Sequence, residues 1–277
     1  MKIVADTPTL YSPEEGRAQG VAIIPACTII DDVVYKDYEE IGSEEFLKRV
    51  EAGAVPKTSQ PSIGDILEIY QSSDEEILAL PIGDGLSGTY QNMEGAKNML
   101  EGDSSRIHVM NTKTLAGPQR YLVQKAVQLR ERGLDIENIK RALQESIESS
   151  VSFVIPVEFE FLKRSGRLTP VAAKLGTVLK IVPVLTQTKD MGKITLFAVK
   201  RSKKKALAAI IEHFRSMGVD ENFLITVSHG GVVEEAKAVV AQLKESFVST
   251  VVEMFALAPS LVCHGGPGCI VIQTIRK

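Results

Sequence analysis

Short apolar runs alternate with amphipathic stretches along the first half of the chain. Residues 3–5, 21–25, 77–82 and 107–110 are apolar throughout or nearly so, the pattern of strands buried on both faces. Between them, residues 43–51, 63–71 and 91–99 carry the three-and-four spacing of helices that cover a sheet. A further helix is predicted over 118–132, with Pro118 in its first turn and Gly133 just past its end. The next, near 136–146, places Ile136, Ile139, Leu143 and Ile147 on one face. This alternation predicts an α/β domain with a mainly parallel sheet.

Beyond residue 150 the rhythm changes. Strands are predicted at 152–157, 180–187 and 193–200, the last two joined by a hairpin at Asp190-Met191-Gly192. Helices near 203–217 and 232–245 then separate strands at 223–228, 250–257 and 269–275. The expected organisation is two domains, 1–150 and 151–277, the second with a largely antiparallel sheet. A length of 277 residues agrees with two domains rather than one.

Composition narrows the classes. Lys and Arg number 32 against 35 Asp and Glu, a formal charge of -3, so no general nucleic-acid or anionic-membrane surface is expected. The three cysteines form no CxxC pair, which argues against a disulfide framework or zinc ribbon and suits a reducing cytoplasm. An acid at position 6 interrupts any leader-type apolar core, and no apolar run approaches a membrane span, so a soluble protein is expected. There is no GxGxxG after the first strand, no phosphate-loop lysine and no His/Cys cluster at ligand spacing, so no cofactor is expected.

Three polar segments carry the candidate chemistry. Thr58-Ser59-Gln60-Pro61-Ser62 precedes a helix, where Ser62 alone would serve as an N-cap but the hydroxyls before it exceed what capping needs. Ser87-Gly88-Thr89-Tyr90-Gln91 follows an apolar strand, the place where α/β sheets gather ligands, although an ordinary capped loop would read the same way. His264-Gly265-Gly266-Pro267-Gly268 lies between two apolar strands, either as a hairpin loop or as a close-approach turn. Brought together, the three would form a neutral pocket for an oxyanion. Ser87 as a nucleophile is the weaker reading, because Gly85-Leu86-Ser87-Gly88-Thr89 ends in threonine where the nucleophile elbow needs glycine. His108 and His213 fall inside a strand and a helix and are read as structural; His229, ahead of Gly230-Gly231, lacks a partner motif. Basic runs at 163–168 and 200–205 are either solvated faces or a patch for phosphate or an acidic partner.

These motifs, with Asp6-Thr7, Ser165-Gly166-Arg167-Leu168 and Arg201 ahead of a helix, resemble the DegV family in order and spacing from about residue 3 to the C-terminus. The resemblance implies a two-domain α/β protein that binds a long-chain fatty acid and presents its carboxylate to a separate kinase catalytic subunit, which makes the acyl phosphate. It implies that Thr58 and Ser87 donate to the carboxylate with His264 nearby, that Ser59, Gly88 and Thr89 complete the polar end, and that Arg167 and Arg201 meet the kinase or its phosphate. Such a carrier would be cytoplasmic, without catalysis of its own and with at most transient membrane contact. A serine hydrolase of acyl esters and a lipid-responsive interaction protein are the alternatives. Gly83-Asp84, Gly265, Asn111-Thr112 and Gly117-Pro118-Gln119 depart from the family's commoner residues.

Overall fold

The computed structural model describes residues 1–174 and 181–277. They divide into two compact units, Met1–Glu148 with Ala258–Ser260, and Ser149–Leu257 with Leu261–Lys277. The first unit runs β1 (Lys2–Asp6), α1 (Pro13–Ala18), β2 (Val21–Ile24), β3 (Cys27–Ile30), β4 (Val33–Lys36), α2 (Ser43–Glu51), β5 (Lys57–Ser59), α3 (Ile63–Gln71), β6 (Ile77–Leu80), α4 (Thr89–Met99), β7 (Ile107–Val109), α5 (Ala116–Glu131) and α6 (Ile136–Glu148).

Its main sheet, in the order β2-β1-β6-β7, is parallel throughout, as strands apolar on both faces require. Val4 and Ala79 pack with Ile66 and Tyr70 of α3 and Met93 and Ala96 of α4 to form one core layer. Helix α5 packs against β1 and β6. It ends as the sequence predicts: Gly133 has φ +80° and its N–H bonds the Arg130 carbonyl at 2.9 Å. On α6 the four predicted apolar positions are all buried. The parallel order sends the carboxyl ends of β1 and β6 the same way, so the loops after both strands gather at one edge of the sheet.

A second, antiparallel sheet in the order β4-β3-β5 was not predicted. Its strands are three or four residues long, too short for a clear alternation. The β3–β4 turn is Asp31-Asp32, with φ of 50° and 63°, the left-handed pair of a two-residue hairpin. This small sheet matters because β5 carries Thr58 and Ser59, with Thr58 opposite Thr28 of β3. Helix α1 also escaped the sequence pattern, though its Ser12/Glu15 capping box and Pro13 are a helix-start signature.

The second unit runs β8 (Val151–Ile155), α7 (Phe159–Arg164), α8 (Pro170–Ala173), β9 (Val182–Gln187), β10 (Ile194–Lys200), α9 (Lys203–Ser216), β11 (Phe223–His229), α10 (Val233–Ser246), β12 (Val251–Ala256), α11 (Pro259–Gly265) and β13 (Ile270–Arg276). The first residue of the predicted strand 180–187, Lys180, lies outside the described residues. The sheet order is β10-β9-β8-β13-β11-β12, antiparallel except for the β11–β12 pair. One face buries Phe153, Ile225, Val227 and Ile272 against α9 and α10. His213 of α9 is part of this packing, edge-on to the rings of Phe153 and Phe197, which is the structural role expected of it. At the β8–β9–β10 end, α7 and α8 bring Leu162, Leu168 and Ala172 against Leu185.

The chain is therefore a mixed α/β protein with a parallel sheet in its N-terminal part and a mostly antiparallel sheet in its C-terminal part. One reading needs correction. The segment holding His264 is not a hairpin loop, because β11 lies between β12 and β13 in the sheet. It is helix α11 followed by a glycine turn, and a helix is what a crossover past an intervening strand accommodates.

Candidate functional site

In the first unit the structure draws two of the three polar segments together. A Cβ on Gly88 would sit 3.0 Å from Nε2 of Gln60, so this glycine admits the close approach of the 58–62 segment. Asn92, one turn into α4, donates to the Pro61 carbonyl at 3.0 Å and ties the same two segments. Ser62 is the N-cap of α3, accepting from Asp65 N at 3.0 Å. Thr58 and Ser59 take no part in that cap. Thr58 is partly buried and Ser59 is exposed, its hydroxyl donating to the Gln60 carbonyl.

Ser87 is half-buried, and its Oγ lies 2.9 Å from the Thr89 hydroxyl and accepts the Thr89 N–H at 3.3 Å. The loop before it is held from outside. Gly83 N–H bonds the Thr114 carbonyl at 2.8 Å and Asp84 N–H bonds Oδ1 of Asn111 at 3.1 Å. A Cβ on Gly83 would come within 2.8 Å of the Lys113 carbonyl carbon, backbone that cannot give way. Here glycine at 83 and Asn111 belong to one arrangement.

Two buried carboxylates stand behind these hydroxyls, and the sequence pattern gave neither a role. Asp6, closing β1, accepts from Ile82 N at 3.0 Å and from Nε2 of Gln119 at 2.7 Å. Desolvation raises it to about 6 despite these donors. Asp37, after β4, accepts from Thr28 Oγ1 at 3.0 Å, Thr7 Oγ1 at 3.4 Å and Ser260 N at 3.1 Å. Burial raises it to about 6 as well. The signal available for Asp6 was an acid closing an otherwise apolar strand, at the end where α/β sheets hold ligands.

In the second unit His264, in the last turn of α11, lies beside the Arg167 guanidinium. It keeps a partly accessible edge, yet protein surrounds the ring; desolvation and then the Arg167 charge push it down to about 3. It is a neutral imidazole throughout the physiological range. Arg167 is itself half-buried, its pKa lowered by desolvation. Its N–H bonds Oγ of Ser165 at 3.1 Å, and its carbonyl accepts from Ile194 N at 2.9 Å, at the start of β10. Gly266, with φ +80°, seats its backbone on the Phe161 ring, and Arg164 lies over the same ring at 4.7 Å. Arg201 is exposed and follows the other end of β10. The two arginines thus flank opposite ends of one strand, their backbones roughly 20 Å apart at about 3.3 Å per residue. His229 closes β11, buried, with Nδ1 meeting no partner.

Among the described residues, no group of acids, histidines and cysteines is arranged to hold a metal ion, and no helix is long and apolar enough to cross a membrane. A family model described as "Uncharacterised protein, DegV family" matches residues 1–277. This chain belongs to the DegV family. Curated DegV domain-containing proteins of Lactococcus lactis and Staphylococcus aureus are 27% and 26% identical to it, covering 100% and 99% of the chain and 98% of each relative. Among solved structures, a DegV family protein of Thermus thermophilus, described for its fatty acid binding, has 27% identity and a TM-score of 0.89 over 100% of this chain and 99% of its own. A fatty acid binding DegV family protein of Streptococcus agalactiae has 25% identity and a TM-score of 0.87, over 100% and 98%.

Packing accounts for glycine at position 265 in this DegV protein. A Cβ there would lie 2.7 Å from Sγ of Cys269, a buried thiol that desolvation pushes up to about 12. The sulfur occupies the space that a side chain at 265 would need. Gly265→Ser should therefore destabilise the second unit by about 1 to 3 kcal/mol in urea unfolding, and adding Cys269→Ala should recover most of that loss.

The buried ionisable groups give the two units of this DegV protein opposite responses to pH. Asp6 and Asp37 are raised from 3.8, so their contribution is fully present below pH 3.8 and is lost as pH rises through about 6. His264 is lowered from 6.5, so its contribution is present above pH 6.5 and is lost as pH falls toward 3. Between pH 7 and pH 5, hydrogen-exchange protection corrected for intrinsic rates should rise around β1 and β3 and fall around α11. Asp6→Asn with Asp37→Asn should flatten the first trend, and His264→Gln the second.

Proposed function

We propose that this chain binds one long-chain fatty acid and presents its carboxylate to a separate kinase subunit for phosphorylation. The observation that carries this reading is the closure of the 58–62 segment onto Gly88, which brings hydroxyl-bearing segments together at the loop after β6. Thr58, Ser59, Ser87, Gly88 and Thr89 are proposed to receive the carboxylate, and the family resemblance assigns His264 to the same head group. The fatty acid binding attributed to the Thermus and Streptococcus relatives supports the ligand class. The two compact units are proposed to be the two domains, 1–150 and 151–277, of a cytoplasmic carrier.

The physical logic favours a lipid over a small polar acid. Each buried methylene contributes about 0.8 kcal/mol, so an acyl tail of about 14 methylenes brings on the order of 11 kcal/mol of gross driving force before ordering costs. The head group then needs satisfaction, not strong attraction. Neutral donors satisfy a carboxylate while leaving an oxygen free to attack a phosphoryl group that a partner delivers. A neutral His264 fits that requirement and is a poor general base near neutral pH, which disfavours the hydrolase alternative. Arg167, beside His264, is proposed to meet the incoming phosphoryl group, and Arg201 to contact the partner protein.

Denaturing extraction of the purified protein followed by lipid mass spectrometry should yield one long-chain fatty acid per chain. Ser87→Ala and Thr58→Ala should each weaken retention by about 10- to 100-fold without loss of fold, the worth of a hydrogen bond to a charged group. Retention equal to wild type in both variants would remove these hydroxyls from the head group. Arg167→Ala should keep the lipid yet lower acyl-phosphate formation in the presence of a kinase subunit by tenfold or more, on the order of one lost charge-assisted contact. Normal turnover by that variant would leave Arg167 as a surface residue with no part in transfer.

A further inference from the structure

Asp84 stands in the loop after β6, partly exposed, with its carboxylate held by hydrogen bonds alone. Its Oδ1 accepts the Gly85 N–H at 3.0 Å, and its Oδ2 accepts from Nε2 of Gln91, in the first turn of α4, at 3.1 Å. Among the described residues it enters no ion pair. The bonds fix the carboxylate without neutralising it.

The same loop brings this acid to Ser87. The Leu86 N–H bonds the Gly83 carbonyl at 3.2 Å, and Asp84 and Ser87 pair as an isolated backbone bridge. Paired backbones lie about 5 Å apart, so the two side-chain ends are within about 10 Å of each other. Behind the loop, Oδ1 of Asn111 takes the Asp84 and Lys113 amides at 3.1 and 2.9 Å, which anchors the Asp84 end of the bridge.

Two roles are open to such an acid. As a clasp it would hold the loop to α4 and have no bearing on a ligand's charge. As a charge it acts on any anion at Ser87, because neutral hydrogen-bond donors leave its field in place. Repulsion between two single charges about 10 Å apart in a watery site changes affinity about threefold, and a doubly charged head group feels the square of that, about tenfold. Phosphorylation makes this change, since a phosphate group carries close to two charges where the carboxylate carried one.

We infer that Asp84 is a specificity-determining residue that turns the Ser87 site against dianionic head groups, so that the site holds a fatty-acid carboxylate and rejects the acyl phosphate made from it. The inference rests on the fatty-acid reading above for what meets Ser87. A product weakened where it is made leaves the site, and the next unphosphorylated acid takes its place.

The test is calorimetry on the full chain at about pH 8 with laurate and dodecyl phosphate, which share a tail length and differ in head-group charge. In about 10 mM salt, where the screening length is about 30 Å, Asp84→Asn and Asp84→Ser should each bind laurate about threefold and dodecyl phosphate about tenfold tighter than wild type. In about 1 M salt both gains should vanish, and Asp84→Glu should behave as wild type throughout. Wild type alone supplies a check free of substitutions: its preference for laurate over dodecyl phosphate should shrink about threefold between the two salt conditions. Equal gains for the two ligands, gains that survive high salt, or dodecyl phosphate refused by both neutral variants overturn the inference and leave the fatty-acid reading standing. Weaker laurate binding in both neutral variants reduces Asp84 to a clasp and does the same. No laurate bound to any form removes the fatty-acid reading, and the inference with it.

Discussion

Asp6 and Asp37 are carboxyl groups with no access to water, and each is held by donors from distant parts of the chain. Burying a carboxylate is costly, and the cost is offset only where donors stay in place. Asp6 thereby fixes the start of the β6 loop through Ile82 and the first turns of α5 through Gln119. Asp37 fixes β3 through Thr28, the turn after β1 through Thr7, and Ser260 from near the other end of the sequence. Were either acid to lose its donors, the loops that carry Ser87 and Thr58 would keep their mutual ties through Gly88 and Asn92 but lose an anchor to the strands behind them. The arrangement of the surface hydroxyls follows from two groups that are themselves invisible at the surface.

Much of the architecture was legible because it rests on periodicity. The parallel strands of the first unit are mostly apolar, and the long helices α5, α6, α9 and α10 carry faces or caps that one reading of the chain reveals. What escaped was short. Strands β3 to β5 and helices α7, α8 and α11 span too few residues for a period to emerge, and their existence depends on tertiary partners. The β3–β4 turn could have been read from Asp31-Asp32 between two apolar pairs. Nothing local announces α11, whose place depends on β11 lying between β12 and β13.

The candidate site was legible in a different way, as surplus. Ser62 is accounted for by capping, and Thr58 and Ser59 are not. The carboxylates behind the hydroxyls were less visible because an acid closing a strand is common, and only its burial distinguishes it. The proximity of Arg167 to His264 was likewise unreadable from two motifs almost a hundred residues apart. The first unit thus sets hydroxyl groups at the loop after β6, and the second holds a neutral imidazole at position 264 beside Arg167. Gly83 and Gly265 belong to the same logic, since each is glycine because a neighbouring backbone or sulfur fills the space.

Strand β10 separates Arg167 from Arg201 along its full length, and that separation works as a ruler. That length fixes where the two long basic side chains start, not where their guanidinium groups end. A surface that met both arginines would have to bridge whatever part of the strand's length those side chains leave uncovered.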